Sequence, residues 1–94
     1  MPRMPRRDAP GAVHHVMLRG VARGNIFRDD VDRASFLERI ALVSRECSLA
    51  LLAFALMSNH VHLVTRTGPT PLARAMSRIN TGYAVYFNRR HGRV

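Results

Sequence analysis

Between Met57 and Val64 the chain reads Met-Ser-Asn-His-Val-His-Leu-Val, and this alternation constrains the backbone more than any other stretch. Side chains on a strand project to opposite faces in turn, so an extended segment puts His60 and His62 on one face and Val61 and Leu63 on the other. The spacing predicts a strand from His60 to Arg66, entered through a tight turn at Ser58-Asn59. Two imidazoles on one face form a clip for a divalent ion, and the arginine-rich surroundings point to a phosphodiester as its counterpart.

The rest of the pattern places elements around that strand. Ala12 to Arg19 alternates as a first strand, with Val16 and Leu18 facing a core, His14 sharing their side in this register, and His15, Met17 and Arg19 facing away. Gly20 to Gly24 reads as a loop. Asp29 or Asp30 caps a helix on which Phe36, Leu37, Ile40, Val43 and Cys47 recur at three- and four-residue spacing, and Asp32 lies near the positive end of the helix dipole. Leu49 to Met57 is apolar throughout, as in an interior strand covered on both faces or nearly so, a length that also suits a buried helix. Thr67 to Pro71 is a loop, Pro71 suits a first helical turn, and Leu72, Met76, Ile79, Tyr83 and Tyr86 or Phe87 repeat as a second apolar stripe closed by Arg89 and Arg90. The order strand, helix, strand, strand, helix is an α+β, ferredoxin-like split βαβ without its last strand, which leaves an unpaired edge open to pairing with a second copy.

Charge and composition narrow the partners. With 94 residues the chain is a single domain: a flexible basic arm at 1–10 and one folded unit at 11–94. All 15 basic residues are Arg and the formal charge is +9, which favours a polyanion, because guanidinium grips phosphate through two parallel hydrogen bonds. Coding-DNA composition accounts equally for the use of Arg over Lys, but not for the net charge. One cysteine, Cys47, excludes an internal disulfide and suits a reducing cytoplasm, and the longest apolar run is too short to span a bilayer, so no membrane role is expected.

The residues Gly11-Ala12-Val13-His14-His15-Val16, Arg19-Gly20, Asn25-Ile26-Phe27, Ala55 through Leu63, and Tyr86-Phe87-Asn88-Arg89-Arg90-His91-Gly92-Arg93 together resemble the IS200-like transposases, in the branch of REP-associated tyrosine transposases, within the histidine-hydrophobic-histidine single-strand nucleases. The resemblance covers the chain from Pro10 onward. It implies that His60 and His62 hold Mg²⁺ or Mn²⁺, and that single-stranded or hairpin DNA is cut and rejoined through a phosphotyrosine link. The family's nucleophilic tyrosine and a further polar metal ligand lie on a helix after the fourth strand, and the given chain ends before that region. It therefore reads as an N-terminal part of such a domain. Tyr83 and Tyr86 are the only tyrosines, and both fall on the apolar stripe of the second helix, so packing is their expected role over catalysis.

Other residues take supporting roles. The first and third strands are neighbours in a ferredoxin-like sheet, so His15 is expected beside His60 or His62, either as a hydrogen-bonding support or as an ordinary polar group on an open face. Arg19, Arg23 and Arg66 are expected near the clip, Arg74, Arg78, Arg89 and Arg90 as a helix-borne patch, and Arg3, Arg6 and Arg7 as a phosphate-seeking arm. Two imidazoles alone favour softer metals than Mg²⁺, which wants oxygen ligands. Three readings follow: a metal-dependent DNA strand transferase, a DNA-binding fragment that does not cut, and a small Zn²⁺ protein.

Overall fold

The computed structural model describes residues 9–20 and 24–92. The basic arm with Arg3, Arg6 and Arg7, and the loop residue Arg23, lie outside them. Five elements follow in the expected order: β1 (Val13–Arg19), α1 (Asp30–Cys47), β2 (Ala50–Leu56), β3 (His60–Arg66) and α2 (Leu72–Arg90). The strands form one antiparallel sheet in the order β1-β3-β2, with both helices packed on one face. This is the ferredoxin-like α+β arrangement with β3 in the centre. No helix of the described residues is long and apolar enough to cross a membrane.

Local chemistry explains the boundaries. The Asp29 side chain accepts a hydrogen bond from the Asp32 amide at 3.1 Å and caps α1, satisfying one of the four orphan donors of its first turn. Ser48, in a left-handed conformation, ends α1 by returning its N–H to the Ser44 carbonyl. Pro71 precedes α2, and its carbonyl accepts from the amides of Arg74 and Ala75. The turn Ser58-Asn59 joins β2 to β3, closed by the Met57 amide on the His60 carbonyl at 2.9 Å.

The core lies between the sheet and the helices. Val61 and Leu63 of β3 meet Phe36, Ile40 and Val43 of α1 and Ile79, Tyr83 and Phe87 of α2, all nearly inaccessible to water. Phe27, Phe36 and Tyr83 pack edge to face, with ring centroids 5.3 to 5.7 Å apart. Cys47 is buried in this core, as its stripe predicts.

One expectation fails. The apolar run from Leu49 to Met57 forms an edge strand, not an interior one, and Leu52, Ala53, Phe54 and Ala55 are exposed. Its composition suggests double coverage, but β3 occupies the centre, and of β2 only Leu51 and Leu56 pack against the core. The pairing of β2 with β3 also shifts between Leu51 and Ala53, which turns Leu52 out of the regular pleat.

Candidate metal and DNA site

The uncovered face of the sheet carries the paired imidazoles. Antiparallel register sets Met17 opposite His62 and Arg19 opposite His60, with His15 opposite Val64. Val61 and Leu63 are buried on the helix side, so His60 and His62 lie on the open side, as the alternation requires. Their rings stand 5.1 Å apart and nearly perpendicular. A cavity of about 340 Å³ opens over them, lined by Met17, Arg19, Gly20, Asn59, His60 and His62.

Hydrogen bonds orient both rings by the same nitrogen. Asn59 Oδ1 lies 2.9 Å from His60 Nδ1. An amide oxygen only accepts, so Nδ1 carries the proton and the lone pair is left on Nε2. His62 Nδ1 meets His15 Nε2 at 3.1 Å, and the two rings stack with centroids 5.2 Å apart. When His62 is the donor of that pair, its Nε2 is likewise free. His15 thus sits beside His62 across β1 and β3, the neighbour relation that the strand order predicts, while His14 points inward with a buried, unpartnered Nε2. The role of Asn59 is absent from the reading of the sequence alone; the signal is an amide one residue before the first imidazole, at the turn.

Backbone contacts fix the outer end of the site. The Gly20 amide donates to the Asn59 carbonyl at 3.0 Å and the Ile26 amide to the Ser58 carbonyl at 2.7 Å, so the segment after β1 is tied to the β2–β3 turn. A Cβ at Gly20 would lie 1.8 Å from the Gly24 carbonyl oxygen, an approach only glycine permits.

The donor set fits a divalent ion in part. Two imidazole nitrogens on one face can grip it, whereas no group of three His, Cys, Asp or Glu residues suited to a metal occurs among the described residues. Phosphate oxygens would complete a hard ion's shell.

The arginines divide into two sets. Arg19 borders the imidazole cavity, and Arg66 shares the open face but sits at the far end of β3, opposite Val13 and Ala50, so it is not adjacent to the clip as expected. Arg74 and Arg89 are exposed. Arg78 is committed elsewhere: it pairs with Glu46 and donates to Cys47 Sγ at 3.5 Å, an arrangement that raises its pKa through the bond to Glu46. Arg90 donates to Asp29 Oδ1 at 2.7 Å, Asp29 Oδ2 at 2.9 Å and Asp32 Oδ1 at 2.8 Å, which drives its pKa upward. The expected patch on α2 therefore loses two of its four members to ion pairs with α1.

Asp32 is the centre of that second cluster. It is fully buried and accepts from the Arg28 amide at 2.9 Å, the Tyr86 hydroxyl at 2.8 Å, Arg90, and His91 Nε2 at 2.8 Å. Burial alone raises its pKa and is the largest single influence, but the hydrogen bonds from Arg28, Arg90, Tyr86 and His91 together outweigh it and hold the carboxyl well below the usual range. The sequence signal was a carboxylate four residues before Phe36 on the apolar stripe.

Both tyrosines are occupied on the helix side. Tyr83 donates to the Ile26 carbonyl at 2.6 Å within the aromatic core, and burial pushes its pKa up. Tyr86 is raised by burial and by its bond to Asp32. A raised pKa opposes phenolate formation, and the sheet separates the Tyr83 ring from the imidazole face.

These observations define a two-layer α+β domain with a basic surface and an open, imidazole-bearing sheet face. The family model described as "Transposase IS200 like" matches residues 10–94, and the chain belongs to the IS200-like transposase family. No curated protein and no solved structure matches it.

Proposed function

We propose that this chain is the metal-binding, DNA-holding part of a transposase of the REP-associated tyrosine branch, within the histidine-hydrophobic-histidine nucleases, acting on single-stranded or hairpin DNA. The observation that supports this reading is the shared orientation of His60 and His62 on the open face, with the lone pair of His60 on Nε2 and that of His62 on Nε2 when His62 donates to His15. A bound Mg²⁺ or Mn²⁺ would draw charge from a nonbridging phosphate oxygen. His60 and His62 hold the ion, His15 positions His62 through the 3.1 Å contact, and Arg19 pairs with the backbone phosphate beside them. Arg66, Arg74 and Arg89 add phosphate contacts, and Arg23 and the arm serve the same end.

Strand cleavage and rejoining through phosphotyrosine is the family-level activity. Tyr83 and Tyr86 do not supply the hydroxyl in this reading, because both are hydrogen-bonded on the helix side. That commitment favours a second reading for the chain acting alone, a DNA-binding unit that does not cut. Among the described residues the outer edge of β1 has no strand partner, and a second copy joining there would extend the sheet.

Incubation of the chain with hairpin DNA and Mn²⁺ at two ionic strengths tests the proposal. Binding that weakens with salt and strengthens with Mn²⁺ is expected, with the Mn²⁺ response lost in the double variant His60→Ala, His62→Ala. Tight Zn²⁺ binding without salt-dependent DNA affinity would establish the small metal-protein reading instead. A covalent adduct on a denaturing gel that disappears in Tyr86→Phe would overturn the assignment of Tyr86 to its Asp32 contact. Sedimentation across a concentration series reports on edge pairing: a monomer at all concentrations excludes it.

A further inference from the structure

Two cavities, of about 310 and about 450 Å³, are lined by residues of α1 and α2 alone and meet at Arg39 and Gly82. The helices pack on the sheet face opposite the imidazoles, so this groove is separate from the site above. Gly82 stands in the interior of α2, where glycine is a poor helix former. The approach of Arg39 accounts for it: a Cβ at Gly82 would come within 2.7 to 2.8 Å of the Arg39 Cζ, Nε and Cδ. The guanidinium is thus laid against the α2 backbone, half-buried, instead of extending into water. Among the described residues Arg39 has no hydrogen-bond or ion-pair partner. A guanidinium that gives up part of its hydration in this way carries a desolvation cost, which an oxyanion offsets through two parallel hydrogen bonds.

The other lining groups decide the kind of anion. Ser77 and Thr81 lie one turn apart on α2, on the wall of the smaller cavity, and neither side chain is hydrogen-bonded to another described residue. No carboxylate lines either cavity. Arg78 in the smaller cavity is neutralised by Glu46, and Arg90 in the larger by Asp29 and Asp32, which leaves Arg39 and Arg89 as two uncompensated positive charges. One guanidinium and two hydroxyls match the three terminal oxygens and double charge of a phosphomonoester or of the end group of a diphosphate. A backbone phosphodiester offers two such oxygens and one charge. We propose that Arg39, Ser77 and Thr81 form a binding site for a terminal, doubly charged phosphate group, carried by a small phosphomonoester or diphosphate. The assignment stands apart from the DNA reading of the sheet face.

Calorimetric titration of the chain with pyrophosphate, in EDTA and at physiological ionic strength, tests it. The intact chain is expected to bind, and Arg39→Gln to weaken that binding by at least about tenfold. Gly82→Ala keeps every charge but displaces the guanidinium, and a similar loss is expected; alanine favours the helix, and circular dichroism confirms that both variants remain folded. Arg74→Gln removes the same charge at an exposed position outside both cavities and should leave the affinity unchanged, as should the double variant His60→Ala, His62→Ala. A short single strand without a terminal phosphate is expected not to displace pyrophosphate. Absence of pyrophosphate binding by the intact chain overturns the proposal, as does full affinity in Gly82→Ala. Equal losses in Arg39→Gln and Arg74→Gln would reduce the site to a response to net charge, and displacement by the single strand would assign the groove to backbone phosphodiesters; either result overturns it. Pyrophosphate binding that depends on Arg39 in a chain that binds no DNA would support this site and sink only the reading of the sheet face.

Discussion

On the open face of the sheet three imidazoles meet solvent with only neutral partners, whereas at the corner between the helix ends the Asp32 carboxylate is sealed from water behind four donors. Both clusters join segments far apart in sequence and both contain histidine. Their consequences differ. At the corner the Asp32 carboxylate accepts from four donors, two on each oxygen, so this charge is spent on holding α1 to α2. On the open face each ring has one nitrogen engaged and one left over, which is the condition for binding something else. Arg90 and Arg19 show the same division, the first held by two aspartates and the second bordering a cavity.

The largest expected effect tests the corner. Asp32→Ala leaves Arg90 without its buried partner and should cost about 3 kcal/mol in urea unfolding, because removing one member of a buried ionic network strands the others. The pKa of Asp32, and that of Asp29 through its Arg90 and Asp32-amide hydrogen bonds, is depressed below the ordinary 3.8. Stability from these groups is therefore complete above that value and declines as pH falls below it. Circular dichroism at decreasing pH should show the loss beginning near pH 4, and Asp32→Asn should flatten that acid limb. An unchanged acid limb in Asp32→Asn would remove the distinction between the two clusters.

The open face should answer to binding instead of stability. His15→Ala is expected to weaken Mn²⁺ binding by about tenfold or more, read by electron paramagnetic resonance, with unfolding shifted by less than about 0.5 kcal/mol. Equal losses in both measurements would mean that His15 only packs. A smaller effect concerns the far end of β3, away from both clusters. Thr65 is buried with no partner for Oγ1, and its β-branched isostere removes the stranded hydroxyl. Thr65→Val should stabilise the fold by about 1 kcal/mol in the same urea assay. The smallest effect separates the arginines: Arg74→Ala should reduce the slope of log affinity against log salt by about 1, while Arg78→Ala leaves it unchanged because its charge is neutralised by Glu46. Equal slopes for the two variants would erase that division.

Much of the frame could be read along the chain. The alternation at His60 to Leu63 placed both imidazoles on one face, the apolar stripes marked both helices, and the capping aspartate marked the start of α1. The proximity of His15 followed from strand order, because in this topology β1 and β3 must be neighbours. Less could be read about β2, whose apolar composition suits a covered strand equally well at the centre or at the edge. Its exposed stretch includes the large side chains of Leu52 and Phe54 as well as Ala53 and Ala55, and nothing in local patterning reports which strand takes the middle.

Periodicity and residue chemistry are local properties, so the sequence by itself determined the elements, the inward and outward faces, the basic character and the paired imidazoles. Which charges remain available was a tertiary outcome. Arg90 and Asp29 lie 61 residues apart and Arg78 and Glu46 lie 32 apart, and only the packing of α2 on α1 brings them within bonding distance. The same packing buried Asp32, occupied both tyrosine hydroxyls and set Arg39 against Gly82, because a charge or a cavity acquires its neighbours from the fold and not from the adjoining residues.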